Sequence, residues 1–447
     1  MRLFSHIFSR IIMVIIFPVF LGAAEGELIL LGDVLATVLR ENPGIKAAEA
    51  RVEKARLQIT KVNELKYLTK FDLTSTGGVL PGSDPFELSG WGVFTQNELS
   101  FVQPILTFGK IGSAEELARH GLAYEQDNFA DTRDKAVFEL ICLYRGFAAA
   151  QRGLAVAEDM KGKFDSLVEK ADEEIEKEDG TITEMDRLEL RARSWQVHKM
   201  YTSTSGEYTN LMRALNIAMG RDEGRELRAA ESPLPEFDDA TPNITRLLQR
   251  VTERSPELRK MRSAIQAADA KLSVEKANAL PDLFIGGGLR MRYASNRPSS
   301  DDYNSKGVGA FIGLRWRLDF WRVDTEAELA KSDLDALRHG LKYAEERVRL
   351  DLEKAVSGLR QEYTNLANIR DSLSAAKTFA RLALENYDLG LDTPNTVISG
   401  FRMQYETEAE EVQCELRTQI ALARLALVLG DIKKYEEWMK NEKVTLN

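Results

Sequence analysis

Apolar residues that recur at spacings of three and four predict long helices in two parts of the chain. Both parts, 105–232 and 299–393, contain no proline, which would interrupt a helix interior. The spacing gives a narrow coiled-coil seam rather than the broad apolar stripe of a globular helix. The positions on these seams are Val137, Leu140, Tyr144, Phe147 and Leu154, then Leu334, Leu337, Leu341, Ala344 and Val348.

The same analysis along the whole chain predicts six helices of very different lengths. They cover approximately 30–66, 110–178, 184–220, 243–279, 322–388 and 400–430. At about 1.5 Å per residue, the helix over 110–178 is on the order of 100 Å long, which exceeds a compact domain of this size. We therefore predict an elongated body that is mainly α-helical.

Four segments lack helical spacing, and the last two of them alternate cleanly with the period of two that is typical of β-strands. They are 71–79, 91–103, 283–293 and 308–318. Each has about the length that crosses a bilayer as a tilted strand. In the last two segments one face is polar and rich in glycine, and the other face is apolar. The apolar positions are Leu283, Ile285, Leu289, Met291 and Tyr293, then Val308, Ala310, Ile312, Leu314, Trp316 and Leu318.

This alternation has two interpretations. A transmembrane β-barrel has an apolar outside and a polar lumen, whereas a soluble antiparallel sheet with one wetted face shows the same pattern. A closed barrel needs about eight strands as its usual minimum. A membrane barrel would therefore need strands from several copies of the chain.

Four arginines lie on the polar side of these strands and would face a barrel lumen. They are Arg290, Arg292, Arg315 and Arg317. We hypothesise that they bias the outer pore toward anions. The alternative is that carboxylates neutralise them and leave little net field. The candidate carboxylates are Asp72, Glu98 and Asp282.

Residues 1–24 have the three-part layout of a secretory signal peptide. Arg2 and Arg10 flank a short polar start, 11–21 is an apolar run, and three small residues end at Ala24. The run is too short for a spanning helix. The sequence therefore predicts an exported protein, with an uncleaved anchor as the alternative.

Composition restricts the remaining classes of function. The 447 residues carry a net charge of −10, which argues against general nucleic-acid binding. Cys142 and Cys414 both lie in helical patterns, so we predict free thiols rather than a disulfide. No spacing of His, Cys and carboxylates predicts a metal site, and no nucleophile stands with a base and an orienting group. We predict no catalysis and no cofactor.

Landmarks that recur at nearly constant offsets indicate an internal duplication. The pairs are Asn42 with Ser255 and Pro104 with Arg317, each 213 residues apart, and Gly180 with Gly390 and Gly220 with Gly430, each 210 apart. We predict two repeats after the signal peptide, 25–235 and 236–447. Each repeat has a helix, two strands, a long helix, a turn and a shorter helix.

In this order, the motifs resemble those of the TolC-like outer-membrane efflux protein family over essentially the whole mature chain. The matching segments are Asp33–Pro43, Ala47–Ala55, Gln103–Lys110, Gly180–Leu188, Ser255–Leu258 and Leu280–Leu283. The resemblance implies a mainly α fold with a small β part. Each chain of a homotrimer would give long helices to an α-barrel and four strands to one 12-stranded transmembrane β-barrel.

The resemblance also implies a passive function. The trimer would be the outer-membrane exit duct of a tripartite efflux or type I secretion system, with a periplasmic adaptor (membrane fusion) protein and an inner-membrane pump as partners. It would lie in the outer-membrane lipid of a Gram-negative-type cell, with a large periplasmic part. The alternative is a secreted, elongated coiled-coil scaffold without channel activity.

Adaptor contacts and the gate would lie at the turns of the two helical hairpins, as the resemblance implies. At the first turn the matching positions are Gly180, Asp186 and Leu188. At the second turn Gly390 matches, but Thr396 and Ser399 occupy positions where some members carry an aspartate ring. The nearby acidic residues that could replace that ring are Asp388 and Asp392.

Six acids in the run 172–179 lie next to the first turn. They could focus a negative potential at the entrance and favour cationic partners. The alternative is an ordinary solvated helix end.

Overall fold

The computed structural model describes residues 26–81, 90–176, 183–230, 233–237, 244–441 and 443–444. The predicted signal peptide and the turn residue Gly180 lie outside these ranges. Within them, no helix has both the length and the hydrophobicity that are needed to cross a membrane.

Helices form most of the described chain. They are α1 (Leu31–Glu41), α2 (Pro43–Tyr67), α3 (Lys110–Glu176), α4 (Glu184–Ala218), α5 (Ile244–Arg254), α6 (Pro256–Ala277), α7 (Phe320–Asp388), α8 (Pro394–Val428) and α9 (Lys434–Lys440). The strands are β1 (Glu27–Ile29), β2 (Lys70–Leu80), β3 (Gly92–Leu106), β4 (Leu227–Ala229), β5 (Glu236–Phe237), β6 (Asp282–Ala294), β7 (Lys306–Arg315) and β8 (Lys443–Val444).

The two longest helices are the main axis of the protein, as the sequence predicted. Helix α3 has 67 residues and α7 has 69, so each is on the order of 100 Å long. In the half that carries the sheet, α2, α3, α6 and α7 pack side by side in that order. In the other half, the order is α4, α3, α8 and α7.

Two predicted helices are each interrupted by a cap. The segment 30–66 divides at Asn42, whose side-chain oxygen accepts hydrogen bonds from the N–H groups of Gly44 (2.8 Å) and Ile45 (3.2 Å). The segment 243–279 divides in the same way at Ser255. A proline follows each cap at the first helical position, where it needs no N–H partner.

Other boundaries also differ from the sequence prediction. Helix α8 begins at Pro394 rather than near residue 400, because proline is compatible with the first turn of a helix. Two parallel strand pairs, β1 with β4 and β5 with β8, were not predicted, and neither was α9. Strands of two or three residues are too short to show a period.

The four long strands form one antiparallel sheet in the order β2-β3-β6-β7. Leu99 of β3 stands between Leu73 of β2 and Leu289 of β6, and Leu289 is opposite Val308 of β7. The register shifts only near Pro104, between β3 and β6. Strands β2 and β7 are the two edges of this sheet.

The main hydrophobic core lies where the short elements surround the long helices. Its largest fully buried side chains include Tyr144 and Phe147 of α3, Leu352 of α7 and Tyr435 of α9. A second apolar cluster joins α3, α4, α7 and α8 near their far ends. Cys142 and Cys414 are free thiols.

Candidate functional site

The sheet has an apolar face that is open to the surroundings. The register places apolar residues of all four strands on this face, so the predicted alternation is confirmed for β6 and β7 up to Arg315. Leu73 is 73% exposed and Ile312 is 70% exposed. The other exposed members are Phe71, Val79, Val93, Leu99, Ile285, Leu289, Met291, Tyr293, Val308 and Leu314. An exposed apolar surface that extends over four strands is unusual on a monomeric soluble protein.

The opposite face carries three of the predicted arginines and several glycines, together with the apolar side chains of Phe94, Val102, Phe284 and Phe311. Arg290 Nη2 donates a hydrogen bond to Glu98 Oε1 at 3.0 Å. Arg292 Nε and Nη2 donate to Ser305 Oγ at 3.3 and 3.2 Å. Arg315 lies 5.3 Å from the centroid of the Phe284 ring.

Only one of the three carboxylates that could neutralise these arginines does so. Asp282 binds Lys110 of α3 at 2.8 Å, and Asp72 binds Lys70 at 3.1 Å. Within the described ranges, Arg292 and Arg315 therefore form no ion pair with a carboxylate. The polar face retains two guanidinium charges for each chain.

The fourth strand is shorter than predicted, and this changes the position of Arg317. Strand β7 ends at Arg315, and Trp316 instead donates its indole N–H to the Ala279 carbonyl oxygen at 3.0 Å. Arg317 lies beyond the strand, where its Nη1 is 3.9 Å from Glu326 of α7. The alternation that suggested a longer strand continues into the connection to α7.

At the far end of the helices, Asp186 belongs to the cap of α4. Thr183 Oγ1 accepts a hydrogen bond from the Asp186 N–H at 3.3 Å, and the Asp186 carboxylate accepts one from the Thr183 N–H at 3.0 Å. This reciprocal pair is a capping box, which satisfies two backbone donors at a helix start. Leu188, on the first turns of α4, is exposed.

Ion pairs hold α4 against α3 next to this cap. Asp172 of α3 is 2.9 Å from Arg191 and 3.4 Å from Arg187 of α4. The hydrogen bond from Arg191 is the main cause that lowers the pKa of Asp172. Part of the acidic run is thus already paired, and its members 177–179 lie outside the described ranges.

The second turn follows α7. Gly390 has a φ of 71°, the left-handed conformation that commonly ends a helix. Asp392 Oδ1 accepts a hydrogen bond from the Thr393 N–H at 2.8 Å, and a hydrogen bond from Thr396 is the main cause that lowers its pKa. Ser399 is exposed, one turn into α8.

Near the turns, two polar contacts join one hairpin to the other. Lys170 of α3 lies 3.8 Å from Asp388 of α7. Asn395 Nδ2 of α8 donates to Glu189 Oε2 of α4 at 3.3 Å. These two contacts are exposed and cost little to break, whereas the apolar cluster of α3, α4, α7 and α8 beside them also joins the hairpins.

Tyr387 is a buried residue at this end that the sequence analysis did not single out. Among the described residues its hydroxyl has no hydrogen-bond partner. Burial, followed by the charges of Glu174, Asp186 and Asp388, raises its pKa to about 12. The signal that could have found it is the helical spacing of four, three and four residues that it shares with Ala376, Ala380 and Ala383 of α7.

A partly apolar cleft opens between α3, α4 and α8 near the same end. Its volume is about 460 Å³. Trp195 of α4, at its rim, is 57% exposed. Other side chains that line it include Met160, Phe164, Met200, Ile398 and Tyr405. Among the described residues, no group of three or more His, Cys, Asp or Glu side chains is placed to hold a metal ion.

Comparison with known sequences gives two partial matches. Residues 247–431 match the family described as outer membrane efflux protein. A segment of 194 residues is 22% identical to nodulation protein T of Rhizobium leguminosarum bv. trifolii. That alignment covers 43% of this chain and 41% of the relative, so it spans less than half of either protein.

Solved structures of outer-membrane channels have the same fold over nearly the whole chain. The CmeC channel of Campylobacter jejuni matches with a TM-score of 0.77 and 16% identity, over 93% of this chain and 90% of that one. VceC of Vibrio cholerae gives 0.73 and 14%, over 90% and 96%. The open state of MtrE from Neisseria gonorrhoeae gives 0.72 and 15%, over 90% and 89%. The match to the outer membrane efflux protein family thus covers less than half of the chain, and the solved channels show that the chain has their fold.

Proposed function

We propose that three copies of this chain form a passive exit duct through the outer membrane, as part of a tripartite efflux or type I secretion system. The observation that carries the proposal is the two-sided sheet at one end of the long helical body. Its apolar face is exposed, while its opposite face carries the arginines and glycines beside a few aromatic side chains. A lipid-facing outside and a wet lumen need this combination.

The sheet cannot close on itself. Four strands are fewer than a barrel requires, and the outer sides of β2 and β7 are unpaired in the described chain. Pairing β7 of one copy with β2 of the next satisfies both edges. Three copies then give a 12-stranded barrel.

The outer helices of the body support the same trimeric assembly. In the half of the body away from the sheet, α4 and α7 are the outer helices of the four, and both expose apolar side chains. On α4 these include Met185, Leu188 and Trp195, and on α7 they include Phe379 and Leu382. Burial of apolar area is the main driving force for such contacts. Each α4 would pack against the α7 of a neighbouring copy.

The turns after α3 and α7 are the proposed gate and adaptor contact. We assign this role to Gly180, Asp186, Leu188, Gly390, Asp392, Thr396 and Ser399. The exposed ion pair and hydrogen bond between the hairpins would break when the duct opens.

The partners are a periplasmic adaptor protein and an inner-membrane pump, and the chain itself catalyses no reaction. The two predicted repeats, 25–235 and 236–447, would each supply one hairpin of the gate.

The test is made with two aspartate variants on opposite faces of β7. Ile312→Asp places a charge on the apolar face, and Gly309→Asp places the same charge on the polar face, where a Cβ would meet nothing within 4 Å. We expect the wild-type chain and Gly309→Asp to give heat-modifiable trimers in outer-membrane fractions and discrete conductance in planar bilayers. Ile312→Asp should lose both, because a charge on the lipid face is unfavourable.

A soluble periplasmic monomer with no conductance would overturn the proposal. It would support the alternative of a secreted coiled-coil scaffold. Equal trimer yields from the two aspartate variants would also contradict the assignment of the faces.

A further inference from the structure

The two open edges of the sheet carry charged side chains at the end nearest the long helices. Strand β2 begins with Lys70 and Asp72, and strand β7 ends with Arg315. The register places all three on the face that carries the arginines. These are the edges that the proposed trimer joins, so the inference drawn from them rests on the proposed function.

Within one chain, Asp72 and Arg315 are only weakly engaged. Lys70 Nζ lies 3.1 Å from the Asp72 carboxylate, but the two side chains are 73% and 57% exposed, and such a pair contributes little. Arg315 lies against the Phe284 ring and forms no ion pair with a carboxylate of the described chain. Both groups can therefore accept a partner from another copy at little cost.

The two faces of the sheet restrict how β7 of one copy can pair with β2 of the next. Apolar positions must stand opposite apolar positions, so the permitted registers differ in steps of two residues. In one of them Arg315 stands directly opposite Lys70 of the next copy, which we call the lysine register. In the adjacent one it stands directly opposite Asp72, which we call the aspartate register.

The tilt of the strands leaves only these two registers. One row across the sheet runs through the facing residues Lys70, Val102, Gly286 and Phe311. In the next copy, Phe311 would face Thr74 in the lysine register and Thr76 in the aspartate register. From the strand spacing and the rise per residue, these offsets give tilts of about 35° and about 47°, close to the range of about 35–45° in membrane barrels. One further step in either direction would give about 20° or about 55°.

The charges distinguish the two remaining registers. The lysine register places two positive groups directly opposite each other, which is destabilising, whereas the aspartate register places opposite charges there. We propose that the aspartate register closes the barrel and that Arg315 of each copy binds Asp72 of the next copy. Lys70 stays beside Asp72, so two basic side chains share one carboxylate and this end of the lumen keeps a net positive charge.

Disulfide crosslinking tells the two registers apart. On the apolar face, Ser75 would stand opposite Ile312 of the next copy in the aspartate register and opposite Ala310 in the lysine register. Ser75→Cys is combined with either Ile312→Cys or Ala310→Cys, in a chain whose free thiols, Cys142 and Cys414, are replaced by alanine. Strands β2 and β7 are on opposite edges of the sheet, so a disulfide between them can only join two copies.

The readout is the product of oxidation in outer-membrane fractions, separated on denaturing gels without reductant. Directly opposite Cβ atoms are about 4.5–5.5 Å apart and diagonal ones about 7–8 Å apart, whereas a disulfide needs about 3.5–4.5 Å. We expect the pair with Ile312→Cys to give a covalent trimer as its main product. The pair with Ala310→Cys should remain mostly monomeric.

An exchange of charges tests the ion pair itself. Asp72→Arg and Arg315→Asp each place like charges opposite each other, so each should lower by several degrees the temperature at which the trimer dissociates on gels. The double variant should restore that temperature. In the lysine register Arg315→Asp would instead face Lys70 and raise it. Asp159→Lys with Lys163→Asp, an exposed pair within α3, is the control exchange and should change nothing.

The outcomes separate this proposal from the duct itself. Covalent trimers from the pair with Ala310→Cys rather than Ile312→Cys would overturn the aspartate register. A double charge exchange no more stable than the single changes would overturn the ion pair. Either result in a chain that still forms heat-modifiable trimers leaves the duct proposal intact, whereas a wild-type chain without trimers would overturn both.

Discussion

The hydroxyl of Tyr144 donates a hydrogen bond to the carbonyl oxygen of Ile29 at 3.0 Å, across 115 positions of the sequence. The same hydroxyl accepts a bond from the N–H of Ala230 at 3.2 Å. One side chain of α3 therefore holds the ends of β1 and β4, which form a parallel pair around the helical body.

Removal of this hydroxyl should destabilise the protein modestly. The Ala230 N–H also reaches the Ile29 oxygen directly at 3.2 Å, so Tyr144→Phe leaves neither backbone group without a partner. We expect a loss of about 1 kcal/mol in the free energy of unfolding, the size of one net hydrogen bond. Chemical denaturation measures it, with Tyr343→Phe on an exposed part of α7 as the control. Equal effects of the two variants would contradict this role.

The two hairpin turns offer a matched comparison of helix caps. Thr183 caps α4 through its side chain, whereas Thr393 stands at the same position of α8 with no side-chain cap bond. Thr183→Ala should increase local opening at the start of α4 by about 1 kcal/mol. Thr393→Ala should have a much smaller effect. Hydrogen exchange of the first turn of each helix distinguishes them, and similar changes at both would disprove the capping argument.

Much of the fold could be predicted from the sequence because long elements repeat their pattern many times. The seam through Tyr144 and Phe147 extends over a helix of 67 residues, and the period of two around Leu289 fixed the face of each residue in β6. Boundaries were less accurate where one polar residue and one proline restart a helix, as at Asn42. Strands of two or three residues left no signal.

A close contact between two helix backbones gives a further prediction. A Cβ at Gly400 of α8 would lie 2.9 Å from the Cα of Ala380 in α7. Gly400→Ala should therefore force the helices apart and destabilise the protein by about 1–3 kcal/mol. Gly358→Ala in α7, where a Cβ meets nothing within 4 Å, should be neutral or stabilising by up to about 1 kcal/mol.

Thermal unfolding of the two glycine variants provides the measurement. The prediction fails if Gly400→Ala is as stable as Gly358→Ala. A lower midpoint for Gly400→Ala alone would show that the α7–α8 contact depends on this glycine.

From the charges on the polar face of the sheet we predict the ion selectivity of the proposed duct. Arg292 and Arg315 have no carboxylate partner in the described chain, whereas Arg290 is paired with Glu98. Arg292→Gln and Arg315→Gln together should shift the reversal potential of the conductance toward cations, because they remove the unpaired positive charges.

The paired residues supply the control. The double variant Glu98→Gln with Arg290→Gln removes one charge of each sign, so it should leave the reversal potential nearly unchanged. A strongly cation-selective wild-type duct, or one that both double variants alter equally, would contradict the assignment.

The candidate sites were harder to predict than the fold, since they depend on contacts between distant parts of the chain. Glu189 and Asn395, which join the two hairpins near their turns, are 206 positions apart, and no local pattern connects them. The period of two placed Asp282 on the same face as the sheet arginines and suggested it as their partner, yet it binds Lys110 of α3. The resemblance to the efflux protein family identified Asp186, but only the structure shows that Asp186 and Thr183 together cap α4.

The two open edges of the sheet have a consequence for the life of a newly made chain. Strand β2 lies in the first half of the sequence and β7 in the second, so the edge of β2 is made long before the edge of β7 that would cover it. Until another copy covers them, both edges offer unpaired backbone groups to any extended peptide, beside an exposed apolar face. A long unpaired edge beside an exposed apolar face is a site at which separate copies can aggregate, so a higher concentration of unassembled copies should favour aggregation.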